Sequence, residues 1–189
     1  MEAAKLATLA DLLAHPEERV ELINGEIVRR PMARAEHGLV QSNIVGELQP
    51  LRRPDGPGGW WIATEISVLY EVHQCPSHDL AGWRRERLPE RPRGVVELTP
   101  DWVCEIVSPG HERKDTLTLL LLLQRHLVPY YWLIWPEERT LVAYGLDGVS
   151  YRIVANLTAA GPNAAPDAER VAIPPFEAVP IDLGYILGG

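Results

Sequence analysis

The chain has 189 residues, 46% hydrophobic and 23% charged, which suits one domain burying roughly two thirds of its unfolded surface and excludes general disorder or a fibrous repeat. A net charge of -8 excludes a protein that coats nucleic acid through bulk electrostatics, and the basic residues are nearly all arginine, Lys5 and Lys114 being the only lysines. Cys75 and Cys104 form neither a disulfide framework nor a zinc pair, no apolar stretch is long enough for a bilayer, and the amino terminus lacks a signal-peptide pattern, so a cytoplasmic protein with no membrane association is expected.

The apolar spacing of Leu6 to Leu13 predicts a short first helix ending at His15-Pro16. Asn24-Gly25, set between two apolar runs, predicts a tight hairpin with Glu21 and Glu26 on its arms. Leu39, Val40, Ile44, Val45 and Leu48 recur at helical intervals and predict a second helix over Ala35 to Leu48, preceded by His37-Gly38; Pro50 to Gly59 reads as a loop. Trp60 to Tyr70 has strand composition with Glu65 inside it, and a further strand leads to Asp79-Leu80-Ala81-Gly82-Trp83. An arginine-rich loop follows, with Arg84, Arg85, Arg87, Arg91 and Arg93, then an apolar strand from Asp101 to Val107 interrupted by Glu105. The segment from about Glu112 to His126 is apolar nearly all round, which predicts a helix buried on most faces. Tyr130 to Trp135, Thr140 to Gly145 and Tyr151 to Val154 read as strands. A core over about residues 6–155, an Ala/Pro/Gly-rich mobile loop over 156–170 and an apolar closing segment over 171–189 complete a single domain, an α/β fold with a mixed sheet flanked by helices.

Glu105 carries the first chemical signal, because a carboxylate inside an apolar strand loses several kcal/mol or is forced neutral unless a partner meets it. Strand alternation puts Val103, Glu105 and Val107 on one face, with Trp102, Cys104 and Ile106 on the other. Asp79 also closes an apolar segment. Two carboxylates at neighbouring strand ends are a minimal oxygen-ligand set for magnesium; a buried pair neutralised by an arginine is the other reading. His37, His78 and His111 read as hydrogen-bonded structural residues, and the arginines from Arg84 to Arg93 read either as a phosphate track or as a solvated loop.

Glu21-Leu22-Ile23-Asn24-Gly25-Glu26-Ile27-Val28 is similar to an ELIDGE hairpin, with His37-Gly38 at the start of the following helix. Asp79 to Pro89 resembles DLAGWRRERxP, Pro100 to Pro109 resembles PDWVCEVLSPS, and Val128 to Ile134 resembles GVPxYWLV. By these segments the chain resembles the Uma family of restriction-endonuclease-like proteins in the PD-(D/E)xK nuclease superfamily. The resemblance runs from about Leu6 to Tyr151 and implies a restriction-endonuclease-like core in which Asp79 and Glu105 hold a divalent metal, Mg2+ or Mn2+, with Glu21 or Glu26 adding a carboxylate. DNA as substrate and a homodimer, matching the two strands of a duplex, follow from the same resemblance.

This sequence departs from that pattern at several positions. Relatives resembling it carry proline before the aspartate, where His78 stands. The signature lysine would fall at Val107, and the family supplies it instead from the next helix, four residues after an aspartate matched by Asp115; that position is Leu119, and a tyrosine four residues further on is matched by Leu123. Lys114 is the nearest lysine and the candidate for the catalytic role, although on an ideal helix it lies about 140° away from Leu119. Arg113 and Arg125 can stabilise charge but are poor proton acceptors. Two functions therefore stand side by side: a magnesium-dependent DNA endonuclease, and a non-catalytic nuclease-fold protein that binds nucleic acid or a partner.

Overall fold

The computed structural model describes residues 5–16, 18–32, 34–53, 58–108, 110, 112–161 and 170–188. In chain order they form α1 (Leu9–Leu13), β1 (Val20–Ile23), β2 (Glu26–Arg29), α2 (Ala35–Glu47), α3 (Gln49–Arg52), β3 (Trp60–Ser67), β4 (Ser77–Arg84) and β5 (Trp102–Ile106). A π-helical segment, Lys114–Leu119, runs into α4 (Leu120–Arg125) and is followed by β6 (Tyr130–Trp135), β7 (Thr140–Asp147), β8 (Ser150–Thr158) and α5 (Leu183–Ile186). No helix among the described residues is long and apolar enough to cross a membrane.

Strands β3 to β8 lie side by side in chain order as one six-stranded sheet. Every pairing is antiparallel except β5 with β6, because the chain must cross over between them and does so through the π-helical segment and α4. β5 is the most enclosed of these strands, buried at every position. Its alternation divides the core into two layers. Trp102, Cys104 and Ile106 face a layer closed by Val40 and Ile44 of α2 and by Ile173, Phe176, Ile181 and Ile186 of the closing segment. There Phe176 meets Trp102 edge-on with ring centres 4.9 Å apart, and Trp132 at 5.5 Å. Val103 and Val107 face a second layer with Leu119, Leu122, Leu123, Tyr131 and Leu133.

The β1–β2 hairpin forms as expected: Asn24 and Gly25 both take positive φ, at 52° and 76°, the left-handed pair that a two-residue turn requires. It docks against the chain leading into β4, with reciprocal backbone hydrogen bonds between Leu22 and Cys75 of 3.1 and 2.8 Å. That docking carries Glu21 towards the start of β4.

Three expectations change. The helix after β5 is not buried on most faces, since Leu117 and Leu121 are 45% and 49% exposed while Leu119, Leu122 and Leu123 face the sheet. The final strand continues to Thr158, so ordered pairing extends into the segment read as a mobile loop; residues 162–169 of that loop lie outside the described residues. Part of the Pro50–Gly59 loop, Gln49–Arg52, is a helical turn that buries Leu51. Because Leu119 is fully buried among apolar neighbours, Leu119→Lys is expected to destabilise the fold by about 3 kcal/mol or more, at least as much as Leu119→Ala. Urea unfolding checks this; a Leu119→Lys midpoint equal to wild type would show that the position is not packed as described.

Candidate functional site

The sheet splays where β4 and β5 part. Their backbone ladder ends at the Leu80–Cys104 pair, and beyond it the carboxylates of Asp79 and Glu105 take over the donors that the ladder would have used. The Ile106 N–H donates to Asp79 Oδ2 at 2.8 Å, and the Asp79 N–H donates to Glu105 Oε2 at 3.3 Å. Glu21 reaches the same place from β1, accepting from the Ser77 N–H at 3.2 Å. Asp115 arrives from the π-helical segment, so four carboxylates, Glu21, Asp79, Glu105 and Asp115, converge at 2%, 6%, 1% and 5% exposure. All four line one cavity of about 290 Å³.

Lys114 is the cation within this group. Its Nζ lies 2.9 Å from Glu21 Oε1 and 4.0 Å from Asp115 Oδ1, and it lines the same cavity. The ideal-helix projection that aimed it elsewhere fails for a physical reason: this stretch has the wider i→i+5 turn of a π-helix, an insertion found often at functional sites. Leu119, Leu123 and Val107, the positions where the resemblance expects polar or lysine side chains, all pack into the second core layer. Lys114 is thus directed at the carboxylates, while the positions at which the resemblance places a lysine are apolar.

A second set of side chains gathers around Asp79. Arg30 pairs with Glu65 and approaches Asp79 Oδ1 at 3.4 Å. His37 Nε2 lies 3.3 Å from the same Oδ1, and Gln41 donates to the Asp79 carbonyl at 2.8 Å and to Glu65 at 3.2 Å. Glu65 stands opposite Asp79 in β3 and has φ of +51°, a left-handed conformation inside a strand that costs of order 1–3 kcal/mol and recurs where a site imposes it. Ligand atoms of His37, Glu65 and Asp79 all lie within 4.8 Å of one another, a group able to hold a cation.

The electrostatics follow from burial and an excess of acid. Burial raises the Glu105 pKa well above the usual carboxylate range, and the neighbouring Asp79 charge adds to this, outweighing Lys114. Burial and then Glu105 push Asp115 up to about 8. Burial also works against ionisation of Asp79, but the His37 hydrogen bond and charge, the Ile106 N–H and Arg30 outweigh it, and its pKa lies below the usual value. Desolvation opposes the charge on Lys114, yet Glu105, Glu21 and Asp115 together raise its pKa. Burial drives His78 down to about 3, so it is neutral, whereas the hydrogen bond to Asp79 raises His37.

Of the residues expected from sequence, Glu21, Asp79, Glu105 and Lys114 meet at the cavity; Glu26 does not, being exposed on β2 with its side chain outside the lining. His37 and His78 both touch the acidic cluster, and His111 lies outside the described residues. The arginine-rich loop turns out to be partly structural: Arg84 stacks on Trp60, Arg85 on Trp61, and Arg87 pairs with Asp101 at 2.6 Å. Arg19, Arg29, Arg30 and Arg113 line the cavity instead. Sequence reasoning missed Arg30, Gln41 and Glu65; the charge of Glu65 inside an apolar strand was the same signal that singled out Glu105.

The fold matches a solved structure from Anabaena variabilis ATCC 29413, a "putative nuclease belonging to DUF820", with a TM-score of 0.72 at 22% identity over 95% of this chain and 97% of that one. No curated protein matches the chain. A mixed six-stranded sheet with acidic side chains gathered where two strands part defines a nuclease-like fold. The chain belongs to the Uma2 family, described as "Putative restriction endonuclease", which it matches over residues 6–171.

The clustered acids set a pH dependence for the cation-free protein. An acid with a raised folded pKa keeps its proton in the fold and loses it in the unfolded chain, so stability falls as pH rises towards the folded value. Between pH 6.5 and 8, Asp115 and Glu105 act in this sense. His37, raised from 6.5, loses its contribution in the same direction; His78, neutral in the fold, opposes this only weakly because its unfolded imidazole sheds no more than about half a proton over the interval, and Asp79 adds no slope. The urea midpoint in chelator is expected to be lower at pH 8 than at pH 6.5, and Asp115→Asn to flatten the difference. A midpoint that rises over this interval would contradict the excess of buried acid.

Proposed function

We propose that the chain is a divalent-cation-dependent DNA endonuclease that hydrolyses phosphodiester bonds at the Asp79–Glu105 cluster. The observation that carries this reading is the convergence of Glu21, Asp79 and Glu105 from three strands, together with the Lys114 ammonium, on one cavity. The donors suit a hard cation: they are carboxylate oxygens, the four buried acids outnumber Lys114, Arg30 and His37, the basic groups that pair with them, and the Arg30 and His37 contacts to Asp79 Oδ1 are long enough, at 3.4 and 3.3 Å, to give way. Asp79 and Glu105 would hold Mg2+ or Mn2+, with Glu21 beside them. Such an ion, when bound, supplies Lewis-acid activation of phosphate and of a water molecule.

The chain's own groups do the rest. Lys114 sets a fixed positive charge where the phosphate gains negative charge in the transition state. Arg19, Arg29 and Arg113 at the cavity mouth hold the DNA backbone, a local patch on a chain of net charge -8. Leu117 and Leu121 offer apolar surface for the homodimer that two-strand cleavage calls for. A cytoplasmic site of action accords with this substrate. The competing reading, a non-catalytic nuclease-fold protein, is favoured by Leu119 and Val107 at the lysine positions and opposed by Lys114.

Plasmid nicking and calorimetry with Mn2+ and Mg2+ separate the two. Asp79→Asn is expected to lose both cation binding and nicking. Lys114→Met is expected to keep binding and nick about 10²- to 10³-fold more slowly, the cost of removing one preorganised charge. Wild-type rates in Lys114→Met would remove the lysine from the mechanism, and a wild-type protein that neither binds nor nicks would leave the non-catalytic reading. For the arginines, Arg19→Ala/Arg29→Ala is expected to make the slope of log affinity against log salt shallower by roughly 1 for each phosphate that the hairpin no longer neutralises, measured on a duplex oligonucleotide by fluorescence anisotropy. An unchanged slope would take the hairpin out of the DNA interface.

A further inference from the structure

We propose that His78 is a positioning residue, fixing the Glu105 carboxylate for cation binding through a hydrogen-bonded line Tyr70–His78–Glu105. The inference rests on the reading of Asp79 and Glu105 as cation ligands. His78 is fully buried, and its Nδ1 lies 2.5 Å from Glu105 Oε1 while its Nε2 lies 2.9 Å from the Tyr70 hydroxyl. With a cation bound, Glu105 is ionised and can only accept, so Nδ1 then carries the proton and donates to Glu105, leaving Nε2 to accept from Tyr70. The Tyr70 ring is itself held, edge-on to His78 at 5.8 Å and tilted against His126 at 5.2 Å. Tyr70 therefore holds the ring in place and meets Nε2, while the ionised Glu105 sets which nitrogen donates.

The geometry is a reciprocal lock. The dipeptide His78-Asp79 binds both oxygens of Glu105, by the His78 ring on Oε1 and the Asp79 N–H on Oε2. The next residue on β5, Ile106, returns a backbone N–H to the Asp79 carboxylate. Each acid is aimed by the strand that bears the other, which fixes the separation of the two and leaves a lone pair for a ligand on each Glu105 oxygen and on Asp79 Oδ2, while Oδ1 is met by Arg30 and His37. His78 thus gives Glu105 a restraint that a side chain without a donor cannot supply. Groups that orient metal-binding side chains in this way typically contribute 10- to 100-fold in metal affinity.

The test is Mn2+ titration of the full chain by calorimetry, beside urea unfolding, for wild type, His78→Leu, His78→Asn, Tyr70→Phe and Asp79→Asn. His78→Leu, which keeps bulk and loses the donor, is expected to weaken Mn2+ binding about 10-fold or more. His78→Asn, which keeps a donor near the Nδ1 position, is expected to return to within about threefold of wild type. Tyr70→Phe, which keeps the ring packing, is expected to weaken binding about threefold. A folded His78→Leu with wild-type Mn2+ affinity overturns the proposal; should that variant not fold, wild-type affinity in Tyr70→Phe does so. Binding that Asp79→Asn abolishes but no His78 or Tyr70 variant alters rejects this inference and spares the ligand reading, whereas a wild-type protein that binds no Mn2+ rejects both.

Discussion

Everything at the site depends on the cost of burying Glu105. A carboxylate 1% exposed in the most enclosed strand of the sheet is tolerated only where donors and counter-charges surround it. His78, the Asp79 N–H and Lys114 are the groups that answer it, and each comes from a different constraint of the fold. The antiparallel partner β4 brings the first two, and the crossover to the parallel partner β6 brings the third. A mixed sheet is what allows one acid to be met from both sides.

The same crossover explains how Lys114 reaches the cluster. Between β5 and β6 the chain must both cover the second core layer and present a charge to the strand ends. Leu119, Leu122 and Leu123 satisfy the first demand, and the wide π-helical turn at Lys114–Leu119 lets Lys114 satisfy the second. Strain is concentrated nearby: Glu65, facing Asp79 across β3 and β4, adopts a left-handed backbone that only a network such as Arg30, Arg19 and Gln41 sustains. A cluster with more buried acid than base, in which burial pushes Glu105 and Asp115 towards the protonated form, is the arrangement on which the proposed cation site rests.

The arginines divide in two by their surroundings. Arg84, Arg85 and Arg87 lie on tryptophan faces or pair with Asp101, so their charge is committed to holding the end of β4 and the loop after it. Those of the β1–β2 hairpin stand beside the cavity because Leu22 and Cys75 dock the hairpin there through the backbone. Composition along the chain cannot separate the two groups; only their neighbours can.

Much of the fold was legible because it rests on local rules. Alternation through Trp102–Ile106 assigned each side chain of β5 to its layer, Asn24-Gly25 marked the hairpin, and the apolar spacing of α2 marked its helix. Glu105 and Asp79 were conspicuous for the same reason, since a charge in an apolar strand needs a partner wherever the strand lies. The exposure of Leu117 and Leu121, the direction of Lys114, the isolation of Glu26 and the gathering of Arg30, His37, Glu65 and His78 were not legible. Each depends on which residues distant in sequence meet across the sheet and on a helical turn that departs from the ideal period. Local pattern determines which residues demand partners; the tertiary structure alone decides who the partners are, because burial and distance are properties of the packed chain.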